Sequence, residues 1–331
     1  MVETKSLREL ADKNGVFIGA AVNVSHLEKD GEYKEVLQGE FNMVAPENAM
    51  KWSMIRPDKD TFVFDQADKL VEFAEENKMA VRGHALMWDV KVPVWVTEGI
   101  TDEEMLGLLE NHIKTVADRF KGRIYAWDVV NEPINDGGEF VDSPLFKRLG
   151  EKYIELAFKW AKEADPTAKL FLNDWGSDSI NKRSNKLYEI VKDLIAKGVP
   201  IDGVGFQMHL ALGRSKTSPT VPEMGSIREN FKRFSDLGLE IHITEMDIQI
   251  QSGEGTEEER LKEQAEAYKN ILETALEFPN FKALVQWGVN DKYSWITGLN
   301  GKEDSPLLFD KENKPKPAYF AIKEVLEKSN E

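Results

Sequence analysis

The chain has 331 residues, a formal net charge of −16 and no cysteine. The absence of cysteine excludes disulfides, thiolate nucleophiles and cysteine-ligated metals. The negative charge argues against nucleic-acid or anionic-membrane partners, because its field repels a polyanion. No apolar run approaches the roughly 18 residues of a membrane-spanning helix, and the first residues lack the apolar core of a signal peptide. We expect either a cytoplasmic protein or the mature part of a secreted one, and in both cases a monomer.

Eight apolar, β-prone runs recur along the chain, with amphipathic helical patterns between them. The predicted strands span residues 16–22, 41–44, 79–88, 124–131, 170–173, 203–209, 240–246 and 283–288. The predicted helices include residues 145–164, 182–197, 222–237, 257–278 and 317–326, and Thr101 to Glu104 reads as a capping box that opens another. This alternation is typical of a single (β/α)8 barrel over residues 1–331. The alternative is an open doubly wound sheet, but no strand is followed by a glycine-rich phosphate loop.

The fourth predicted strand ends abruptly in Asn131, Glu132 and Pro133. Proline cannot donate to a strand ladder, and it favours an extended conformation for the residue before it, here Glu132. A carboxyl group at the rim of a sheet could serve as a catalytic acid, a helix cap or an ion-pair partner. This stretch alone does not decide between these roles.

Polar and aromatic side chains gather where the other predicted strands end, which in such a barrel is where chemistry takes place. They include no serine or cysteine nucleophile and no closely spaced metal ligands. The set is Glu47, Asn48, Lys51, His84, Trp88, Asn173, Trp175, Gln207, His209, Glu245, Asp247, Trp287 and Trp295. Glu132 and Glu245 follow strands four and seven, on opposite sides of the barrel mouth. Two carboxyl groups flanking one bond, with indoles as stacking platforms, suit the hydrolysis of a glycosidic bond.

Such a pair needs one carboxyl that stays protonated for the leaving oxygen and one that stays ionised to attack the anomeric carbon. A separation of roughly 5 to 5.5 Å leads to retention of configuration, and roughly 6.5 to 9.5 Å leads to inversion. The residue types alone are compatible with both outcomes.

Six motifs together resemble the catalytic domain of glycoside hydrolase family 10, the retaining endo-β-1,4-xylanases. They occur in the family's order at residues 46–52 (PENAMKW), 82–84 (RGH), 127–132 (WDVVNE), 207–209 (QMH), 243–247 (ITEMD) and 287–295 (WGVNDKYSW). A single motif of this kind is weak evidence, but six in the same order make the probability of chance agreement very small. The resemblance runs from Ser6 to Ala318. It implies an enzyme that hydrolyses internal β-1,4 bonds of xylan or xylo-oligosaccharides with retention and without a metal or organic cofactor.

The resemblance also implies roles for single residues. Glu132 would be the general acid/base and Glu245 the nucleophile, while His209 would bridge Glu245 and Asp247 and keep the nucleophile ionised. Asn131 would bind the 2-hydroxyl group of the sugar beside the scissile bond. The other implied substrate contacts are Glu47, Asn48 and Lys51 on the non-reducing side, His84, Trp88, Trp287 and Trp295 as subsite walls, Asn173 at the start of the leaving-group-side loop, and Trp175 and Gln207.

Two departures from the family pattern lie near the expected cleavage site. After Trp88 the family usually has His and, two positions later, Gln, whereas this chain has Asp89 and Lys91. Beyond Asn173, the usual Tyr-Asn pair is replaced by Trp-Gly at residues 175–176. Asp89 and Lys91 either pair with each other or change the specificity or rate of the enzyme.

Two other functions stay open at this point. An endo-β-1,4-glucanase or another β-glycosidase on the same barrel also uses glutamates after strands four and seven, although the motifs at 46–48 and 82–84 favour a xylanase. A sugar-binding barrel, or one with reduced xylanase activity, is suggested by Asp89 and Lys91. The intact pair of Glu132 and Glu245 argues against it.

Overall fold

The computed structural model describes residues 5–329, and at its centre is a closed barrel of parallel β-strands. The strands are β1 (Phe17–Val22), β2 (Met43–Pro46), β3 (Ala80–Trp88), β4 (Ala126–Asn131), β5 (Lys169–Asp174), β6 (Gly203–Phe206), β7 (His209–Ala211), β8 (Glu240–Gln249) and β9 (Phe281–Gln286). Their order is β6-β5-β4-β3-β2-β1-β9-β8, and pairing of β6 with β8 closes the ring. β7 follows β6 after two residues and pairs with the far end of β8, so that β6 and β7 together occupy the sixth position of the predicted eight.

Helices follow the strands around the outside of the barrel. In the described part of the chain they are α1 (Leu7–Asn14), α2 (Val24–Lys29), α3 (Gly31–Glu40), α4 (Trp52–Ile55), α5 (Asp65–Glu76), α6 (Val94–Thr97), α7 (Asp102–Arg119), α8 (Pro144–Leu149), α9 (Lys152–Ala164), α10 (Lys182–Ala196), α11 (Met224–Ser235), α12 (Glu257–Leu276), α13 (Trp295–Asn300) and α14 (Pro317–Lys328). The (β/α)8 barrel expected from the sequence is therefore confirmed. None of these helices is both long and apolar enough to cross a membrane.

Local sequence signals account for where several helices begin and end. The Thr101 side chain accepts a hydrogen bond from the backbone of Glu104, whose carboxylate accepts one from the backbone of Thr101, which completes the predicted capping box. The segment predicted as one helix at 145–164 is two helices, because Gly150 takes a φ of +60° between α8 and α9. A residue with this backbone conformation ends a right-handed helix.

The core has two parts, on the two faces of the strands. A large cluster fills the space between the barrel and the helices. A smaller cluster alternates with it along β1, β2 and β9 and includes Trp287. Close backbone approach occurs on both faces of the strands. A Cβ at Gly83 would collide with the Trp127 ring on the helix side, and one at Gly205 would collide with Asn173 and Arg82 inside the barrel. The interior is thus packed up to the level of the polar residues at the strand ends.

Candidate active site

A cleft of about 380 Å³ opens at the carboxyl ends of the strands. Its walls contain both candidate carboxylates and most of the predicted aromatic and polar contacts. The lining residues are Lys51, His84, Trp88, Glu132, Trp175, Gln207, His209, Thr217, Glu245, Trp287, Trp295 and Leu299. Thr217 and Leu299 were not anticipated, because they lie outside the strand-end motifs. A larger cavity of about 580 Å³ elsewhere has six acidic residues among the thirteen that line it and contains none of the predicted site residues.

Glu132 is held at the end of β4 by two donors, one from β3 and one from the short segment between β6 and β7. The indole N–H of Trp88 donates to Oε2 at 3.1 Å, and Nε2 of Gln207 donates to Oε1 at 2.9 Å. The expected extended conformation is wrong: Glu132 has a φ of +53°. Its backbone N–H still bonds to the carbonyl of Asn173 at 2.9 Å. These contacts to other strands outweigh the local preference that Pro133 imposes, at a conformational cost of about 1 to 3 kcal/mol.

Glu245 on β8 is the more enclosed carboxylate, with 4% of its surface exposed. Oε1 accepts a hydrogen bond from Nδ2 of Asn173 at 2.7 Å, and Oε2 lies 3.3 Å from Nε2 of His209. The other ring nitrogen of His209 is 2.8 Å from Oδ2 of Asp247, which also accepts the indole N–H of Trp295 at 2.8 Å. His209 thus bridges the two acids, in the arrangement that the family resemblance implies.

The two glutamates have pKa values displaced in opposite directions. Burial raises the pKa of Glu132, the hydrogen bond from Gln207 opposes this shift, and the charge of Glu245 adds to it. Burial alone would also raise the pKa of Glu245, but His84 and His209 outweigh it and leave its pKa below the usual value. Burial lowers the pKa of His209, but the two acids raise it more, to about 10. The site therefore favours the protonated form of Glu132 and the ionised form of Glu245, relative to an ordinary glutamate.

Asn173 is a buried connection between the two halves of the site. Its Nδ2 donates both to Glu245 and, at 2.8 Å, to Oδ1 of Asn131, while its Oδ1 accepts from Thr244 at 2.7 Å. Asn131 Oδ1 also accepts from Gln207 at 3.2 Å. Within the described residues, Nδ2 of Asn131 is a buried donor without a protein partner. A buried donor of this kind is available to a ligand hydroxyl.

An ion-pair network beneath the cleft fixes His84. Its Nδ1 lies 2.9 Å from Oδ2 of Asp128, and the same carboxylate is paired with the Arg82 guanidinium. All three side chains are at most 2% exposed. The sequence motifs contain Arg82 and Asp128, but no spacing rule links β3 to β4 at this point. His84 is therefore presented to Glu245, 3.9 Å from Oε1, by residues that the sequence analysis did not select.

The remaining predicted contacts surround the cleft in two groups. On one side, Nζ of Lys51 donates to Oδ1 of Asn48 at 3.0 Å, and Nδ2 of Asn48 donates to Oε1 of Glu47 at 3.0 Å. On the other side, the guanidinium of Arg183 lies 4.5 Å from the centre of the Trp175 ring. Glu47 and Asn48 do not line the cleft itself, but hydrogen bonds connect them to Lys51, which does.

Asp89 and Lys91 do not form the ion pair that was one of the two expectations. Asp89 is buried, and its Oδ2 accepts a hydrogen bond from Ser143 at 2.8 Å. The exposed Lys91 has its Nζ 5.5 Å from the centre of the Trp88 ring. The two side chains point apart because residues 89–91 form a single 3₁₀ turn, which sends neighbouring side chains in different directions.

Within residues 5–329, no group of three or more histidine, aspartate or glutamate side chains is arranged to hold a metal ion.

Comparison with known families matches the chain to the family model "Glycosyl hydrolase family 10" over residues 6–325. The chain belongs to glycosyl hydrolase family 10. Within this family, endo-1,4-beta-xylanase B of Thermotoga neapolitana is 44% identical over 324 residues, which cover 97% of this chain and 91% of that protein.

Solved family 10 structures have the same fold. Native xylanase 10B from Thermotoga maritima superimposes with a TM-score of 0.92 at 48% identity and covers 98% of this chain and 99% of its own. Xylanase 10B from Thermotoga petrophila RKU-1, in complex with xylobiose, gives a TM-score of 0.94 at 47% identity and covers both chains completely (100% each). The family 10 assignment thus extends over the strands and loops that build the cleft.

Proposed function

We propose that this protein is an endo-1,4-β-xylanase that cleaves internal β-1,4-xylosidic bonds of xylan with retention of configuration. The single observation that carries the proposal is the pair of glutamates in one cleft whose pKa values are displaced in opposite directions. Family 10 membership and its xylanase relatives support the substrate class. We also propose that the whole chain, residues 1–331, acts as one catalytic domain.

In the first step, Glu132 gives its proton to the glycosidic oxygen as the bond to the anomeric carbon breaks. The Glu245 carboxylate attacks that carbon from the opposite side and forms a glycosyl-enzyme ester. Charged His209 favours the ionised nucleophile before attack. Its second bond, to Asp247, fixes the ring orientation.

In the second step, the ionised Glu132 takes a proton from a water molecule, whose oxygen attacks the anomeric carbon. The ester bond breaks, Glu245 is released as a carboxylate, and the two inversions give net retention. The loss of negative charge on Glu245 in the ester removes one of the influences that raise the pKa of Glu132. Glu132 therefore becomes a better base when the second step needs one.

The buried amides give the transition state a fixed partner. Nδ2 of Asn131 would bond the 2-hydroxyl group of the sugar beside the scissile bond, because its other polar atom is already held by Asn173 and Gln207. A donor that is held in place before the substrate binds needs no reorganisation in the transition state. Lys51, His84, Trp88, Trp175, Trp287 and Trp295 would contact the neighbouring sugars.

The test is replacement of the nucleophile. Glu245→Ala should abolish turnover of an aryl β-xylobioside, whereas Glu103→Ala on the exposed surface of α7 should leave it unchanged. Full activity of Glu245→Ala would refute the mechanism. NMR of the first product from xylohexaose should show the β-anomer, and an α-anomer would mean inversion.

Parallel assays on xylan and carboxymethylcellulose separate xylanase from endoglucanase. Faster release of reducing ends from carboxymethylcellulose than from xylan would show that the enzyme is an endoglucanase. Binding of xylo-oligosaccharides without release of reducing ends would instead indicate a sugar-binding barrel.

A further inference from the structure

The turn that follows β3 is anchored from inside the protein. Oδ2 of Asp89 accepts the hydroxyl of Ser143, and the same hydroxyl oxygen accepts the backbone N–H of Phe146 in the first turn of α8 at 3.0 Å. Asp89 has only 4% of its surface exposed. The turn therefore has a fixed attachment to α8, and Lys91, at its last position, leaves the turn from a defined point on the rim.

Lys91 carries a positive charge beside the catalytic acid. Its Nζ is 5.5 Å from the centre of the Trp88 ring, and the N–H of the same indole donates to Glu132. The ammonium is thus separated from the Glu132 carboxylate by the width of one side chain. Ring and stem hold the ammonium at the mouth of the cleft while leaving its charge exposed to solvent.

A second ammonium on the same ring shows what distinguishes Lys91. Nζ of Lys51 lies 5.3 Å from the Trp88 ring centre, but it is partly buried and faces the negative charges of Glu245, Glu47 and Glu132. Its charge is balanced by the site itself. Lys91, by contrast, has no carboxylate oxygen within 4.0 Å among the residues that the structure describes. The one acid beside it in sequence, Asp89, is turned away towards Ser143.

We propose that Lys91 is a specificity-determining residue, whose ammonium binds the carboxylate of an acidic sugar, such as a glucuronosyl branch, next to the cleavage site. This inference rests on the proposed xylanase function. A carboxylate suits the position because the cation is exposed, has no carboxylate partner among the described residues and is held over an aromatic ring. A neutral amide at the same place, which is usual in the family, would offer a hydrogen bond without this charge preference.

The experiment compares two substrates, a neutral xylo-oligosaccharide and the same oligosaccharide carrying a glucuronosyl branch. The measured quantity is the ratio of kcat/KM for the branched to that for the neutral substrate. Lys91→Gln, which restores the usual family residue, should lower this ratio by about two- to fivefold, as expected for a solvent-exposed ion pair. In the parent enzyme, the preference for the branched substrate should also shrink with rising salt concentration, because salt screens exposed charges.

Two further variants serve as controls. Lys91→Arg keeps the charge and should keep the ratio. Lys121→Gln removes the same charge at an exposed position before β4, at the opposite end of the barrel, and should not alter the ratio.

The outcomes separate this inference from the proposed function. A lack of activity of the parent enzyme on the neutral oligosaccharide would refute the proposed xylanase function itself. Normal activity on it, with an unchanged ratio in Lys91→Gln, would overturn the role of Lys91 alone. An equal loss in Lys91→Arg, or a ratio that does not respond to salt, would also overturn the charge-based role.

Discussion

Replacement of Gln207 by leucine tests what sets the pKa of Glu132, the proposed catalytic acid. Gln207 is 1% exposed, and its amide donates to Oε1 of Glu132 at 2.9 Å. Because this bond favours the ionised carboxylate, it holds the pKa of Glu132 below the value that burial alone would give. Leucine has a similar volume and no donor, so Glu132 should stay protonated to higher pH. The alkaline limb of the kcat/KM profile should therefore move upward.

The size of the shift follows from the difference between a charged and a neutral hydrogen bond. Bonds to charged groups contribute about 1.5–3 kcal/mol and neutral ones about 0.5–1.5 kcal/mol, so the difference between the middles of these ranges, roughly 1.25 kcal/mol, distinguishes the two protonation states. This corresponds to about one pH unit. Xylo-oligosaccharides are the appropriate substrates, because their poor leaving group needs the proton.

An aryl β-xylobioside provides the internal control for Gln207→Leu. Its phenolate leaves with little help from an acid, so its alkaline limb should move less than that of the oligosaccharide. Gln38→Leu makes the same chemical change on α3, far from the cleft, and should leave both profiles unchanged. An alkaline limb that stays in place on oligosaccharides, or an equal shift for both substrates, would refute the reasoning.

Three further substitutions test other buried groups. Asp89→Asn should stabilise the fold at pH 8 by up to about 3 kcal/mol and have little effect near pH 4. Burial raises the pKa of Asp89 to about 6, so above that pH the folded state contains a buried carboxylate that is more stable in the unfolded chain. Urea unfolding at pH 8 and pH 4 measures the gain in the free energy of unfolding, and an equal gain at both pH values would contradict this explanation. His112→Phe should raise the melting temperature below about pH 6 by several degrees, because burial holds the pKa of His112 well below its usual value and only the unfolded chain then takes up the proton. Phenylalanine can keep the stacking on Trp52, and a gain that is independent of pH, followed by circular dichroism, would count against this cause. His209→Gln should move the acidic limb of kcat/KM upward, because the charged imidazole favours ionised Glu245; an unmoved limb on the aryl substrate would show that His209 does not set this ionisation.

Much of the fold could be predicted because barrel strands are marked by apolar runs of regular spacing. The errors fall where long-range contacts override local preference. Glu132 is not extended, since its backbone is held by β5 and its carboxylate by β3 and by the segment between β6 and β7. The helix predicted at 145–164 is broken at Gly150, because a single residue with positive φ outweighs an unbroken apolar period.

The site was predicted at the level of residue identity, but not of mutual contact. The family motifs predicted that Glu132, Glu245 and His209 belong to one site, and the structure places all three at one cleft. Asn173 was expected at the start of a loop, yet its buried side chain also donates hydrogen bonds to both Asn131 and Glu245. Pairing of Asp89 with Lys91, two residues away, was one of two expectations, whereas its hydrogen-bond partner is Ser143, 54 residues distant. Sequence spacing cannot reveal such pairings, because they depend on which loops meet in space.

The missing side chains at Gly83 and Gly205 have a consequence for anyone who wishes to diversify this enzyme. At both positions an added methyl group would strike a neighbour, the Trp127 ring in one case and the Asn173 amide in the other. A mutant library that includes these positions would mostly sample barrels in which the Trp127 ring, or the Asn173 amide that bonds to Glu245, is displaced. Randomising the rim turn around Lys91 instead would alter which branches are admitted while the floor beneath the reacting sugar keeps its shape.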